Sequence, residues 1–220
     1  MKNLKVAIPL KTNSERVPNK NLRNFIDGDS LFDIKIKQLL KAVKPEDIYV
    51  SSEEIKVKEL TDKYGLNFLH RDISLTPNSA PWIEVTKDII SKIPGETDIM
   101  WVQVTQPLFN DFNSVLEKWE EIYDDYDSLV VVKKIKHHIL DARGNPVNFN
   151  FGYWHKISQE LPVFYQLTWA CFCLKRRMLE QTWYQIGRKP YLYNAEIPLI
   201  DIDSIQEFEI ARILYSHYMK

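Results

Sequence analysis

The chain has 220 residues, 45% of them hydrophobic and 27% charged, enough for one domain with a substantial core. Its 29 basic and 30 acidic residues leave a formal net charge of -1, which excludes a general nucleic-acid binder, since that needs a basic excess across the domain. No apolar run approaches the ~18 residues of a membrane span and the N-terminus lacks a signal-peptide pattern, so a soluble cytoplasmic protein with no membrane partner is expected.

"KVAIPL" (5–10) reads as the first strand and runs into a loop without glycine that carries Lys11, Arg16 and Lys20. Residues 1–23 hold six basic side chains, with Lys2, Lys5 and Arg23, against the single acid Glu15, so any anion site is local to this end. "SLFDIKIKQLLKAV" (30–43) predicts a helix entered by a Ser30/Asp33 capping box, followed by the strand "DIYVSS" (47–52). A second box, Ser51/Glu54, is expected to open the helix within "EEIKVKELTDKY", with Gly65 as its left-handed stop before the strand "LNFLH".

"APWIEVTKDIISKI" predicts the next helix, ended near Pro94 and Gly95; the strand "DIMWVQV" (98–104), a helix over 113–123 and the strand "SLVVVKK" (128–134) follow. This alternation specifies a mainly parallel sheet with helices on both faces. Residues 137–167 break the pattern with an aromatic, turn-rich excursion whose "RGNP" suggests a hairpin tip. An excursion of that composition packs on something, and a partner subunit is the favoured candidate.

The chain returns with "TWACFCL", which turns Cys171 and Cys173 to one side of a strand and suits neither a disulfide framework nor a zinc site. A short helix near 176–184, the strand-like "YLYNAEIPLIDID" and a final helix complete the chain. That helix starts at a Ser204/Glu207 box and carries Ile205, Phe208, Ala211, Leu214 and Tyr218 along one stripe.

Ligands of open α/β sheets lie beyond the carboxyl ends of the strands, which points to the first loop. It matches neither G-x-G-x-x-G nor G-x-x-x-x-G-K, so side chains must take over phosphate binding: Lys11 and Lys20 as charges, Asn13 and Ser14 as short hydrogen-bonding groups. In an extended "IDID", Asp201 and Asp203 project from one face and can share a divalent cation, or they can simply favour the positive end of the following helix.

"AIPLKTNSERVPNKNLRNF" resembles the A-R-x-x-S-K-x-x-P-x-K-N signature of the cytidylyltransferases that make CMP-activated acidic sugars, the CMP-sialic acid and CMP-Kdo synthetases. "LHRDISLTPNSA", "VQVTQPLF", "HHIL" and "LIDIDSIQEFEIARIL" are similar to later segments of that family, in the same order over nearly the whole chain. The resemblance implies a Rossmann-like, GT-A-like nucleotidyltransferase fold. It is a three-layer α/β sandwich in which 1–220 form one domain and 137–167 a dimerisation and acceptor-lid excursion.

By the same resemblance, Lys11, Asn13, Ser14 and Lys20 face the triphosphate of CTP, Arg71 and Asn78 lie near the cytidine or the loop that closes over it, and Gln103, Thr105, Gln166 and Thr168 meet the acceptor. Asp201 and Asp203 hold Mg2+, with Lys11, Lys20 and Asp203 as the catalytic set. The implied reaction transfers CMP to a nonulosonate sugar with release of pyrophosphate, in a homodimer that serves surface glycan synthesis. Several positions depart from the pattern. Lys11 stands at an arginine, Glu15 at a lysine, Gln106 at a serine, Phe109 at an arginine and Asn78 at an aspartate. Ser158 and Gln166 stand at arginines and Thr168 at an asparagine, which leaves open another acceptor (Kdo, another sugar, a phosphonate or phosphate compound) or a catalytically weak nucleotide-binding homologue.

Overall fold

The structure is a computed structural model and describes residues 4–14 and 16–219. Lys2 and Glu15, both counted in the basic N-terminal balance, lie outside the described residues. Seven strands form one sheet in the order β5-β4-β1-β6-β8-β7-β9. They are β1 (Leu4–Pro9), β4 (Ile48–Ser52), β5 (Asn67–His70), β6 (Asp98–Val102), β7 (Ser128–Ile135), β8 (Phe164–Leu174) and β9 (Pro190–Asn194). A separate small hairpin pairs β2 (Asn24–Ile26) with β3 (Asp29–Ser30). All pairs in the large sheet are parallel except those of β8, which runs antiparallel to β6 and β7.

Helices cover both faces. Beneath α1 (Leu31–Leu39), α2 (Lys56–Tyr64), α4 (Phe112–Ile122) and α6 (Ile205–Tyr218) lies a core that includes Phe32, Phe109, Phe112, Trp119 and Phe208. On the opposite face α3 (Trp82–Lys92) and α5 (Arg176–Thr182) cover Ile89, Trp101, Phe172 and Leu179. The two-residue period of β7 is visible in the packing: Leu129 and Val131 enter the first core, Val130 and Val132 the second. Cys171 and Cys173 are both free and buried on the α1 side of β8, as their alternation predicts.

Both capping boxes at Ser30/Asp33 and Ser204/Glu207 form, and Gly65 ends α2 at φ +69°. Other expectations are corrected. Ser51 does not cap α2: it sits buried within β4, and α2 begins two residues after Glu54 with no side-chain cap. Strand β8 starts at Phe164, earlier than "TWACFCL", because residues 164–167 pair with the far end of β7. Strand β9 stops at Asn194, so residues 199–203 lie outside the sheet. On α6 only Phe208 and Ala211 of the stripe are buried, while Ile205 and Tyr218 are 42% and 50% exposed. The hairpin tip forms: Leu140 bridges Pro146, and Gly144 N–H donates to the Asp141 carbonyl.

The chain passes from β1 outward to β4 and β5, then crosses back to β6 on the other side of β1. Their carboxyl ends therefore flank the point where strand order reverses, the place where open α/β sheets hold ligands.

One core position breaks the apolar pattern. Lys35 on α1 is fully buried, and burial pushes its ammonium down to about 7. An unfolded chain keeps that proton up to about pH 10.4, so between these values the unfolded state binds more protons and stability rises with pH. This contribution is complete at high pH and is lost as pH falls through about 7. Relative to Lys35→Met, the wild type is expected to gain up to about 1.4 kcal/mol per pH unit within that window. Urea unfolding at several pH values measures the difference, and a gap independent of pH would show that Lys35 does not titrate there.

Candidate active site

Beyond β1 the chain turns through residues 10–21 without glycine, so other strand ends hold it in place. Leu10 N–H donates to the Ser51 carbonyl at 2.8 Å, and Arg71 N–H, just past β5, to the Ser52 carbonyl at 2.9 Å. The Arg71 guanidinium is buried, and one of its nitrogens reaches both the Leu10 carbonyl at 3.0 Å and Glu53 Oε2 at 2.9 Å. Glu53 Oε1 in turn accepts from the amide and the hydroxyl of Thr12, each at 2.9 Å. Asn21 closes the loop from behind by donating to the Lys11 carbonyl at 2.8 Å. Burial pushes the Glu53 carboxyl up, but the Thr12 amide, its own amide and Arg71 outweigh it and hold it below its ordinary value.

These anchors shape a cavity of about 560 Å³ at the β1/β6 switch point. Lys11, Arg16, Lys20 and Arg71 line it, with Ser14, Asn78, Gln103 and Thr105; no carboxylate is among the described residues of the lining. Lys11 Nζ donates to Asn78 Oδ1 at 2.9 Å, joining the first loop to the segment before α3. The apolar part of the lining is Leu75, Ala80, Val85 and Trp82. Trp82 is fixed by Nε1 donating to buried Gln185 at 2.6 Å and by edge contacts to Trp101 and Trp169. Trp169 itself sits at φ +57° beside the register shift between β7 and β8.

The aspartate pair borders the same loop. Lys20 Nζ donates to the Ile202 carbonyl and lies 3.3 Å from Asp203, which also pairs with Arg16 at 2.7 Å. Ile202 is fully buried between half-buried Asp201 and Asp203, and the two carboxylates are close enough for the charge of one to act on the other although the segment is not a strand. Burial, with the charge of Asp203, raises the Asp201 carboxyl against the opposing effects of Thr105 and Lys20. Its Oδ1 is buried without a hydrogen-bond partner, as are Arg71 Nε and Asn21 Oδ1. A hard divalent cation fits this pair: it takes carboxylate oxygens and relieves both the orphaned oxygen and the raised carboxyl. Among the described residues no cluster of three or more His, Cys, Asp or Glu forms a ready-made cage.

The structure thus brings Lys11, Ser14, Lys20, Arg71, Asn78, Gln103 and Thr105 to one cavity. Asn13 is exposed and outside its lining. Gln166 is exposed on β8 opposite Lys133, and Thr168 is buried with its hydroxyl donating to the Val131 carbonyl at 2.7 Å. Sequence reading missed Glu53 and Trp82, although Glu53 carries a signal, its place one residue beyond β4 on the ligand-bearing edge. A larger recess of about 810 Å³ lies between Phe109–Asp111 and Tyr191–Ile197, but no cation lines it, and charge rather than size selects the site.

Removing one member of a buried ion pair strands the other, at a cost of about 3–5 kcal/mol. Glu53→Ala is expected to lose stability on that scale, whereas the exposed Glu84→Ala loses under about 1 kcal/mol. Chemical denaturation compares the two, and equal losses would show that Glu53 anchors nothing.

The model of the cytidylyltransferase family matches residues 6–215. A pseudaminic acid cytidylyltransferase of Campylobacter jejuni is 26% identical over 98% of this chain and 97% of its own. A 3-deoxy-manno-octulosonate cytidylyltransferase of Hydrogenovibrio crunogenus is 31% identical, over 48% of this chain and 41% of its own. Among solved structures, a CMP-2-keto-3-deoxy-manno-octonic acid synthetase complexed with CTP superposes with a TM-score of 0.66, covering 97% of this chain and 98% of that one; at 12% identity it shows the shared fold alone. A 4-diphosphocytidyl-2C-methyl-D-erythritol synthase from Anaerococcus prevotii does so with a TM-score of 0.64 at 10% identity, covering 96% of each chain. With a family match that runs from β1 into α6, and with its basic cavity at the switch point of that fold, the chain belongs to the cytidylyltransferase family and is a nucleotidyltransferase.

Proposed function

We propose that this protein transfers CMP from CTP to an acidic sugar of the nonulosonate type, depends on Mg2+, releases pyrophosphate and works in the cytoplasm as a homodimer serving surface glycan synthesis. The observation that carries this reading is the convergence of Lys11, Arg16, Lys20 and Arg71 on a cavity bordered by Asp201 and Asp203. Such a concentration of positive charge suits a triphosphate, and the apolar wall at Trp82 and Val85 suits a ring. The pseudaminic acid cytidylyltransferase that matches this chain almost end to end supports an acidic-sugar acceptor.

In this reaction an acceptor hydroxyl attacks the α-phosphorus of CTP, a new P–O bond forms, and the bond to the β-phosphate oxygen breaks with departure of pyrophosphate. The lysines and arginines bind and orient the phosphates, and their fixed charges offset the negative charge that grows on the leaving group. Asp201 and Asp203 would hold Mg2+, which when bound adds further neutralisation of phosphate charge. No Asp, Glu or His is among the described residues lining the cavity, so no general base is assigned to the hydroxyl proton.

Self-association is proposed from the excursion between β7 and β8, where Tyr153 and Trp154 are 92% and 72% exposed and Phe151 and Ile157 lie nearby on the surface. Aromatic side chains so exposed on a protruding segment suit an interface core.

Two measurements test these readings. Pyrophosphate release from CTP, with and without Mg2+, is assayed across pseudaminate, legionaminate, N-acetylneuraminate, Kdo and phosphorylated or phosphonate acceptors. Metal-dependent release with a nonulosonate, reduced on the order of 100-fold or more in Asp203→Ala, is the expected result; release with none in a folded, CTP-binding protein would end the reading. By sedimentation the wild type is expected to be a dimer and Trp154→Glu a monomer, and a monomeric wild type would refute the interface.

A further inference from the structure

The turn that follows β6 presents Thr105 to the cavity, and its backbone is held from an unexpected direction. Lys35 Nζ, from α1, donates to the carbonyls of Gln106 at 2.9 Å and Phe109 at 2.6 Å. Gln38, one turn further along α1, donates to the Pro107 carbonyl at 2.7 Å. Thr105's own carbonyl accepts from the Ile202 amide at 3.1 Å. The carbonyls of residues 105, 106, 107 and 109 are thus answered by α1 side chains and by the aspartate segment. Gln106 fastens the other side by donating from Nε2 to the Thr168 carbonyl.

Lys35 is an expensive way to satisfy two carbonyls. It is fully buried, Cys171 on β8 is the titratable group that faces it, and no carboxylate pairs with it among the described residues. The rings of Phe109 and Phe112 lie against its ammonium, the latter with its centroid 5.1 Å away. Apolar residues at positions 35 and 38 would extend the buried face of α1, which already holds Leu31, Phe32, Ile34, Ile36 and Leu39. Local rules of this kind are broken chiefly where function requires it.

We propose that Lys35 is a positioning residue for cytidylyl transfer: from α1 it fixes the Gln106–Phe109 turn, and through it sets Thr105 and the Ile202 link that places Asp201 and Asp203. It touches no substrate and acts through the turn. A reacting group displaced by about 1 Å costs on the order of 100-fold in rate, so the effect belongs to turnover more than to nucleotide affinity.

The test uses the full chain, with Lys35→Met, Gln38→Leu as a second anchor variant in case the first fails to fold, and Ile122→Ala as a control. Ile122 lies in the core at the end of α4, away from the turn, and its truncation lowers stability without touching the turn. Lys35→Met is expected to lower kcat by roughly 10- to 100-fold while KM for CTP changes less than about 3-fold, with Ile122→Ala leaving both near wild type. Hydrogen exchange at the Ile202 and Phe109 amides is expected to speed up in Lys35→Met and Gln38→Leu, and not in Ile122→Ala. A kcat in Lys35→Met no lower than in Ile122→Ala would overturn the proposal as a purely structural role. The kinetic arm rests on the proposed reaction. Should wild type transfer CMP to no acceptor, that reading fails by itself, and exchange decides Lys35: unchanged protection at Ile202 overturns the proposal, faster exchange upholds the anchor.

Discussion

A basic loop without glycine at the end of a strand has to be held open by something other than its own backbone. Here that agent is the Arg71 guanidinium, bonded to the Leu10 carbonyl and to Glu53. Glycine-rich loops let bare amides approach phosphate closely, and their conformation is local. The segment from Leu10 to Asn21 instead takes its shape from β4 and β5, through Ser51, Glu53 and Arg71. Each of those residues sits at or beyond the carboxyl end of a neighbouring strand. The site is therefore a product of the parallel sheet register rather than of one motif.

The same arrangement manages a charge problem. Four cations around one cavity repel each other, and the loop is stable because Glu53 offsets Arg71 while Asp203 draws in Arg16 and Lys20. The two compensations differ in kind. Glu53 and Arg71 are buried and fixed, so they act as structure; Asp203 and Arg16 are substantially exposed, and their pairing is weak and readily exchanged for a stronger ligand. Glu207 accepts the Asp203 and Ser204 amides, so the helix cap that starts α6 also fixes the backbone of the aspartate pair.

What the sequence disclosed follows the same division between local and distant causes. The Ser30/Asp33 and Ser204/Glu207 boxes and the Gly65 stop depend on residues within four positions of one another, and each forms as read. The Ser51/Glu54 box failed because parallel pairing of β4 with β1 and β5 claims Ser51, a tertiary demand that a local pattern does not carry. Lys11 and Lys20 were visible as charges in the loop after the first strand, and Asp203 as one of a carboxylate pair before the last helix. Glu53 and Lys35 were hidden for opposite reasons: a glutamate after a strand looks like ordinary surface, and a lysine in an amphipathic helix looks solvent-facing until packing buries it.

The antiparallel strand β8 connects these features. Inserted between β6 and β7, it carries the chain back from the excursion, so the excursion leaves at the carboxyl end of β7 and returns at Phe164, directly paired with Ile135. Because β7 is parallel to β1 through the sheet, that exit lies at the same end as the basic cavity. Further along β8, Thr168 fastens the Gln106 side chain and Trp169, turned left-handed at the bulge, packs on Trp82 in the cavity wall. One strand thus ties the aromatic excursion to both the turn that bears Thr105 and the apolar wall. The excursion that exposes Tyr153 and Trp154 thus leaves and rejoins the sheet at the end that holds the basic cavity, and β8 is the strand that joins the two.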